Sequence, residues 1–143
     1  MESRSETSEI LLVEDNPGDI YMFENALKIS GFKVNLIKIK NGDDVLPYLK
    51  RNEAVLPDII ILDLNLPGKN GKEILNEIKN DERLELIPVI IFTTSNAEYD
   101  IQTSYKLKAN CFINKPISVT EYIAAVNRIK EFWTSIVTLP NKT

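Results

Sequence analysis

The 143-residue chain contains no histidine. That absence excludes Ser-His catalysis, a self-contained phosphohistidine domain and most transition-metal sites, because each depends on an imidazole. Any phosphohistidine in its chemistry must come from a partner. A single cysteine, Cys111, excludes a disulfide within the chain, and its place in an apolar run predicts a buried thiol. No apolar stretch has the length of a membrane span, and Met1 to Glu9 carries no apolar core of the secretory kind. The expectation is a cytoplasmic protein with no membrane partner and a flexible lead over residues 1–8. Basic residues are in deficit: 17 Lys and Arg against 21 Asp and Glu leave a net charge of −4, which argues against nucleic acid as a partner.

What is present is the alternation of a parallel α/β domain over residues 9–130, followed by an extension of the last helix and a tail over residues 131–143. Apolar runs of strand length alternate with helix-like segments. Strand one is read at Ile10–Val13, strand three at Asp58–Asp63, strand four from Pro88 to Thr93, and strand five around Cys111–Ile113. Strand two, Lys33–Ile39, is interrupted by lysines and has the composition of an edge. Asn16-Pro17 opens the first helix and Gly31 stops it. Shorter helices are expected at Asp43–Arg51, with Pro47 early in it, at Lys72–Asn80 and at Ala97–Lys106. Ser118-Val119-Thr120-Glu121 reads as a capping box for the last helix.

Four of these strands end on polar residues suited to a single site. Glu14-Asp15, Asp63, Thr93-Thr94 and Lys115-Pro116 follow strands one, three, four and five. Ligands of open parallel sheets sit at the carboxyl ends of the strands, so these side chains converge. A carboxylate can be a covalent nucleophile for a phosphoryl group, and Asp63 is the candidate. Glu14 and Asp15 on the neighbouring strand would repel it by roughly 4 kcal/mol per pair at about 4 Å and an effective dielectric of 20. A divalent cation removes that conflict, and a donor set of oxygens alone favours Mg²⁺ over Zn²⁺. Each residue alone is ordinary; the constellation reads as a magnesium-dependent aspartyl-phosphate site.

With these residues in place, the chain resembles the receiver domain of two-component response regulators. The matching motifs are Leu12-Val13-Glu14-Asp15, Leu62-Asp63-Leu64-Asn65-Leu66-Pro67-Gly68, Gly71, Pro88 to Thr93, and Lys115-Pro116. The resemblance implies a flavodoxin-like (βα)5 sandwich, a five-stranded parallel sheet of order 2-1-3-4-5. It implies Asp63 as phosphoacceptor and Mg²⁺ held by Asp15, Asp63, the Asn65 main-chain carbonyl and Glu14, the last directly or through water. Lys115 would contact the phosphoryl group, and Thr93 with Phe112 would form the switch. Asn65 and Ser95 would influence hydrolysis, and the peptide bond before Pro116 matches a position that is commonly cis in the family.

The tail carries Phe132, Trp133, Ile136 and Val137, an apolar surplus over what covering the sheet requires. Together with Asn16-Pro17-Gly18-Asp19, it resembles the single-domain regulators of bacterial phytochrome histidine kinases. That subgroup implies a sensor histidine kinase, of phytochrome type, as partner and a homodimer with Phe132 and Trp133 near its interface. The expected role is signalling rather than turnover of a diffusible substrate, with the protein promoting its own phosphorylation and dephosphorylation. A phosphorelay intermediate is the alternative. A magnesium-dependent aspartyl-phosphate phosphatase is a further, less favoured alternative, because such an enzyme needs a second acid and Asn65 stands at the plausible position. A flavodoxin-like electron carrier conflicts with Glu14-Asp15, which would repel a flavin phosphate.

Overall fold

Five runs of branched apolar side chains form the strands of one parallel sheet: β1 (Ser8–Val13), β2 (Val34–Ile39), β3 (Ile59–Leu62), β4 (Val89–Thr93) and β5 (Cys111–Asn114). Their order is β2-β1-β3-β4-β5, as expected. The computed structural model describes residues 7–51, 55–94 and 97–131. Ser95, Phe132 and Trp133 lie outside these residues.

The strands between the edges are apolar on both faces because helices cover both. Ile10, Leu12, Ile59, Ile61, Ile90 and Phe92 pack on α1 (Pro17–Ser30) and α5 (Val119–Glu131). The alternate residues Leu11, Val13, Ile60, Leu62, Val89 and Ile91 pack on α2 (Val45–Lys50) and α3 (Gly71–Lys79). This two-sided burial is why the runs show no polar alternation. β2 is the predicted edge, with Asn35 and Lys38 exposed. β1 begins earlier than its apolar run, because Ser8 and Glu9 pair with Val34 and Asn35.

β5 is the opposite edge, and this corrects the expected burial of Cys111: the thiol is only half-buried. Among the described residues no peptide bond is cis, so the bond before Pro116 is trans.

The helix boundaries follow their caps. Asn16 accepts from the Asp19 amide at 3.1 Å, and Gly31 closes α1 at φ +72°. A 3-10 turn at Gly42–Asp44 precedes α2, leaving Pro47 in the first turn, where its missing N–H costs nothing. α3 starts at a capping box formed by Asn70 and Glu73. The expected box at α5 is half formed: the Glu121 amide donates to Ser118 Oγ at 3.1 Å, while the Glu121 carboxylate takes the Ser118 hydroxyl instead of a main-chain N–H. α4 (Glu98–Lys106) has no side-chain cap at Ala97.

Candidate functional site

Asp63 directly follows β3, and its carboxylate is buried at 6% exposure although it stands at the sheet's open end. Its two oxygens have different partners. Oδ1 accepts from the Thr93 hydroxyl at 2.7 Å and from the Asn65 amide at 3.1 Å. Oδ2 accepts from Lys115 Nζ at 3.0 Å. β3 and β4 are adjacent and in parallel register, which puts Thr93 beside Asp63, and Lys115 follows β5 on the next strand.

Gly71 fixes the floor of this arrangement. A Cβ there would lie 2.4 Å from the Asp63 carbonyl oxygen and 2.6 Å from Leu64 Cα. Only glycine lets the start of α3 approach the backbone of the acceptor residue so closely.

Glu14 is 3% exposed, and Lys115 donates to its Oε1. Burial pushes the Glu14 carboxyl up to about 7, with the Lys115 ammonium and the Asn16 amide pulling against that rise. The same contacts act in the other direction on Lys115, whose ammonium is held above the ordinary lysine range by Glu14 and Asp63 despite its burial. Asp15 is exposed at the rim. Carboxylate oxygens of Glu14, Asp15 and Asp63 all lie within 4.8 Å of one another. Three hard oxygen donors with no imidazole or thiolate among them form a donor set suited to Mg²⁺.

The expected residues Glu14, Asp15, Asp63, Thr93 and Lys115 are therefore brought together, and Asn65 joins them through its amide. Phe112 is not at the carboxylates. It pairs in register with Ile91, two positions below Thr93, and its half-buried ring packs on the α2–α3 side of the sheet. Its amide donates to the Tyr105 phenol oxygen at 3.1 Å, linking β5 to α4. Sequence reasoning missed Asp19. This residue sits in the first turn of α1, and its Oδ2 accepts from Lys115 Nζ at 3.1 Å across 96 positions of sequence. The available signal was a carboxylate one helical turn beyond the Glu14-Asp15 strand end.

Comparison with known proteins agrees with this geometry. Residues 10–127 match the family model described as the response regulator receiver domain. Response regulator Rcp1 of Synechocystis sp. is 38% identical over 135 residues, covering 92% of each chain. The crystal structure of the phosphorylated cyanobacterial phytochrome response regulator RcpA superposes with a TM-score of 0.88 at 41% identity, covering 94% of this chain and 99% of that one. The Mn²⁺-bound form of Rcp1 gives 0.86 at 38% identity, with the same coverage. The flavodoxin-like sheet, the order of its strands and the matched family leave one assignment: this chain belongs to the response regulator receiver domain family of two-component signalling.

Proposed function

We propose that the protein accepts a phosphoryl group from a phosphohistidine of a sensor histidine kinase onto Asp63 and signals through altered surface contacts. The observation that carries this reading is the buried Asp63 carboxylate, with the Thr93 hydroxyl on one oxygen, the Lys115 ammonium on the other and two further carboxylates beside it. An Asp63 oxygen attacks phosphorus, the phosphorus–nitrogen bond breaks, and its electron pair stays on the imidazole nitrogen of the donor. Lys115 then meets the phosphoryl oxygens, and Thr93 donates its hydroxyl to one of them. Asp15, Asp63, the Asn65 main-chain carbonyl and Glu14, directly or through water, are the residues that would hold Mg²⁺. When bound, the ion offsets the charge of the transferring group.

The aspartyl phosphate adds up to about two negative charges beside Thr93 and Lys115. Movement of Thr93 toward that group changes the packing above Ile91 and Phe112, biasing a pre-existing pair of conformations. Asn65 and Ser95, two positions beyond Asp63 and Thr93, are proposed to set water access and so the lifetime of the modified state. The likeness to RcpA supports a phytochrome-type kinase as the donor. The homodimer is proposed to use α4, β5 and α5 with Phe132 and Trp133. It is supported by the half-buried edge strand β5 and the exposed Tyr99 and Tyr105 on α4. A tenfold weaker dimer for Trp133→Ala in sedimentation is expected, and unchanged affinity would count against that interface.

The acceptor chemistry is tested by intact mass after exposure to a small acyl phosphate with and without Mg²⁺. A magnesium-dependent gain of one phosphoryl group, absent from Asp63→Asn, is expected. A gain that persists in Asp63→Asn would remove Asp63 from its role. Turnover of small phosphomonoesters would instead favour a phosphatase.

A further inference from the structure

An ammonium has three N–H donors, and all three of Lys115's are taken by carboxylates: Glu14, Asp63 and Asp19. These three acceptors are not equivalent. Glu14 and Asp63 belong to the acidic trio, and the proposed reaction draws on both: Asp63 becomes an acyl phosphate, and Glu14 is one of the residues that would hold a cation. Asp19 lies outside that trio. It comes from α1 rather than from a strand end, and neither role uses its carboxylate.

The backbone of Asp19 is held at both ends. Its amide donates to Asn16 Oδ1 at 3.1 Å, and its carbonyl accepts the Tyr122 hydroxyl at 3.3 Å. Tyr122 is 2% exposed and packs edge-on against Phe92, with ring centroids 5.3 Å apart. Phe92 in turn precedes Thr93. Helices α1 and α5 therefore fix where the Asp19 carboxylate stands, and the residues that fix it border β4 next to the switch hydroxyl.

From this geometry we infer that Asp19 is a positioning residue for phosphoryl transfer, holding the Lys115 ammonium over Asp63 while Asp63 takes up the phosphoryl group. The inference rests on the reading of Asp63 as acceptor. A competing effect is that Asp19 draws Lys115 away from the phosphoryl group. The exposures decide between the two. Lys115 Nζ lies at nearly equal distances from Asp19 and Asp63, 3.1 and 3.0 Å, but the Asp19 side chain is 25% exposed against 7% for Asp63. Solvent screening weakens the pull of Asp19, and a phosphoryl group of up to about two charges outbids it. A tether that loses the contest for the ammonium still restricts where the ammonium can go.

The test compares phosphorylation rates from phosphoramidate, a small donor with a phosphorus–nitrogen bond, in wild type, Asp19→Ala, Asp19→Asn, Lys115→Ala and the Asp19→Ala/Lys115→Ala double variant. Mg²⁺ affinity is measured by calorimetry alongside. Asp19→Ala is expected to be roughly fivefold slower, the scale of a partly exposed ion pair. Asp19→Asn, which keeps an acceptor oxygen, should recover part of that loss. In the double variant the Asp19 change should add nothing to Lys115→Ala, because the residue acts through Lys115. Mg²⁺ affinity should move less than about twofold, a split that general loosening of the site would not produce. An Asp19→Ala rate equal to or above wild type, or an additive double variant, would overturn the inference while leaving Asp63 as acceptor. No labelling of wild type at all would overturn both.

Discussion

Thr93 and Asp63 share a 2.7 Å hydrogen bond buried at the end of two adjacent strands, so each constrains the other before any phosphoryl group arrives. Truncating Thr93 to alanine, which removes the hydroxyl, would leave Asp63 Oδ1 with the Asn65 amide and Oδ2 with Lys115. The acceptor keeps its charge partner, and the site keeps its acidic trio. Thr93→Ala is therefore expected to accept the phosphoryl group at a rate within about tenfold of wild type while losing one buried bond to a charged group, a stability cost of about 1.5–3 kcal/mol. What it should lose is communication to β5. Fluorine NMR with a labelled ring at Phe112 would show a phosphorylation-dependent shift in wild type that disappears in Thr93→Ala. A shift that survives would separate Phe112 from the switch. The contrast with Asp19 shows what can be read at this scale. Asp63, Thr93 and Lys115 each end an apolar run, so one rule about strand ends locates them. Asp19 meets Lys115 only because α1 starts at the end of the sheet where Lys115 follows β5; its place one helical turn beyond the β1 end is visible in the sequence, but the contact across 96 positions is not.

At the scale of elements, the strands were legible because two covered faces demand unbroken apolar runs, while the helix ends were set by details of single side chains. Asn70 caps α3, and Gly71 begins the helix one residue earlier than the expected Lys72. The reason is the close approach of Gly71 to Asp63, a contact between elements that the loop composition does not reveal. Gly71→Ala is expected to overpack that contact by about 1–3 kcal/mol, seen as a lower urea midpoint, and to slow phosphorylation because the displaced backbone is that of the acceptor. α4 is set differently. Its end closes with the Ala109 amide on the Ser104 carbonyl at 3.0 Å and the Lys108 amide on the Tyr105 carbonyl at 2.9 Å. Lys108 itself stands at φ +72°, a left-handed position where glycine is usual. Lys108→Gly should therefore stabilise the protein by up to about 1 kcal/mol, since the relief of backbone strain exceeds glycine's entropic cost at a left-handed position. A lower unfolding midpoint for this variant would show that the Lys108 side chain contributes more than its strain costs.

For the whole molecule, the buried end of the sheet makes stability depend on pH in a direction opposite to that of most carboxylates. Glu14 rises from 4.5 to about 7 on folding because burial penalises its charge more than Lys115 favours it. A carboxyl raised on folding stabilises fully below its unfolded value, and that contribution is lost as pH climbs through the folded one. Lys115 is charged in both states across this interval, so its own rise does not cancel the effect. In chelator, the folded protein should lose up to about 3 kcal/mol between pH 4.5 and pH 7, the full span of the Glu14 shift. Urea unfolding at pH 5 and pH 7.5 reads this directly, and Glu14→Gln should flatten the difference. Saturating Mg²⁺ should restore stability at the higher pH and much less at the lower, because an ion bound only by the folded state stabilises it by mass action and needs Glu14 ionised. Equal pH slopes in wild type and Glu14→Gln would mean that Lys115 already keeps Glu14 ionised. The acidic end of the sheet would then be a preformed ion-pair network at every pH of interest, and cation binding would have to displace Lys115 rather than a proton.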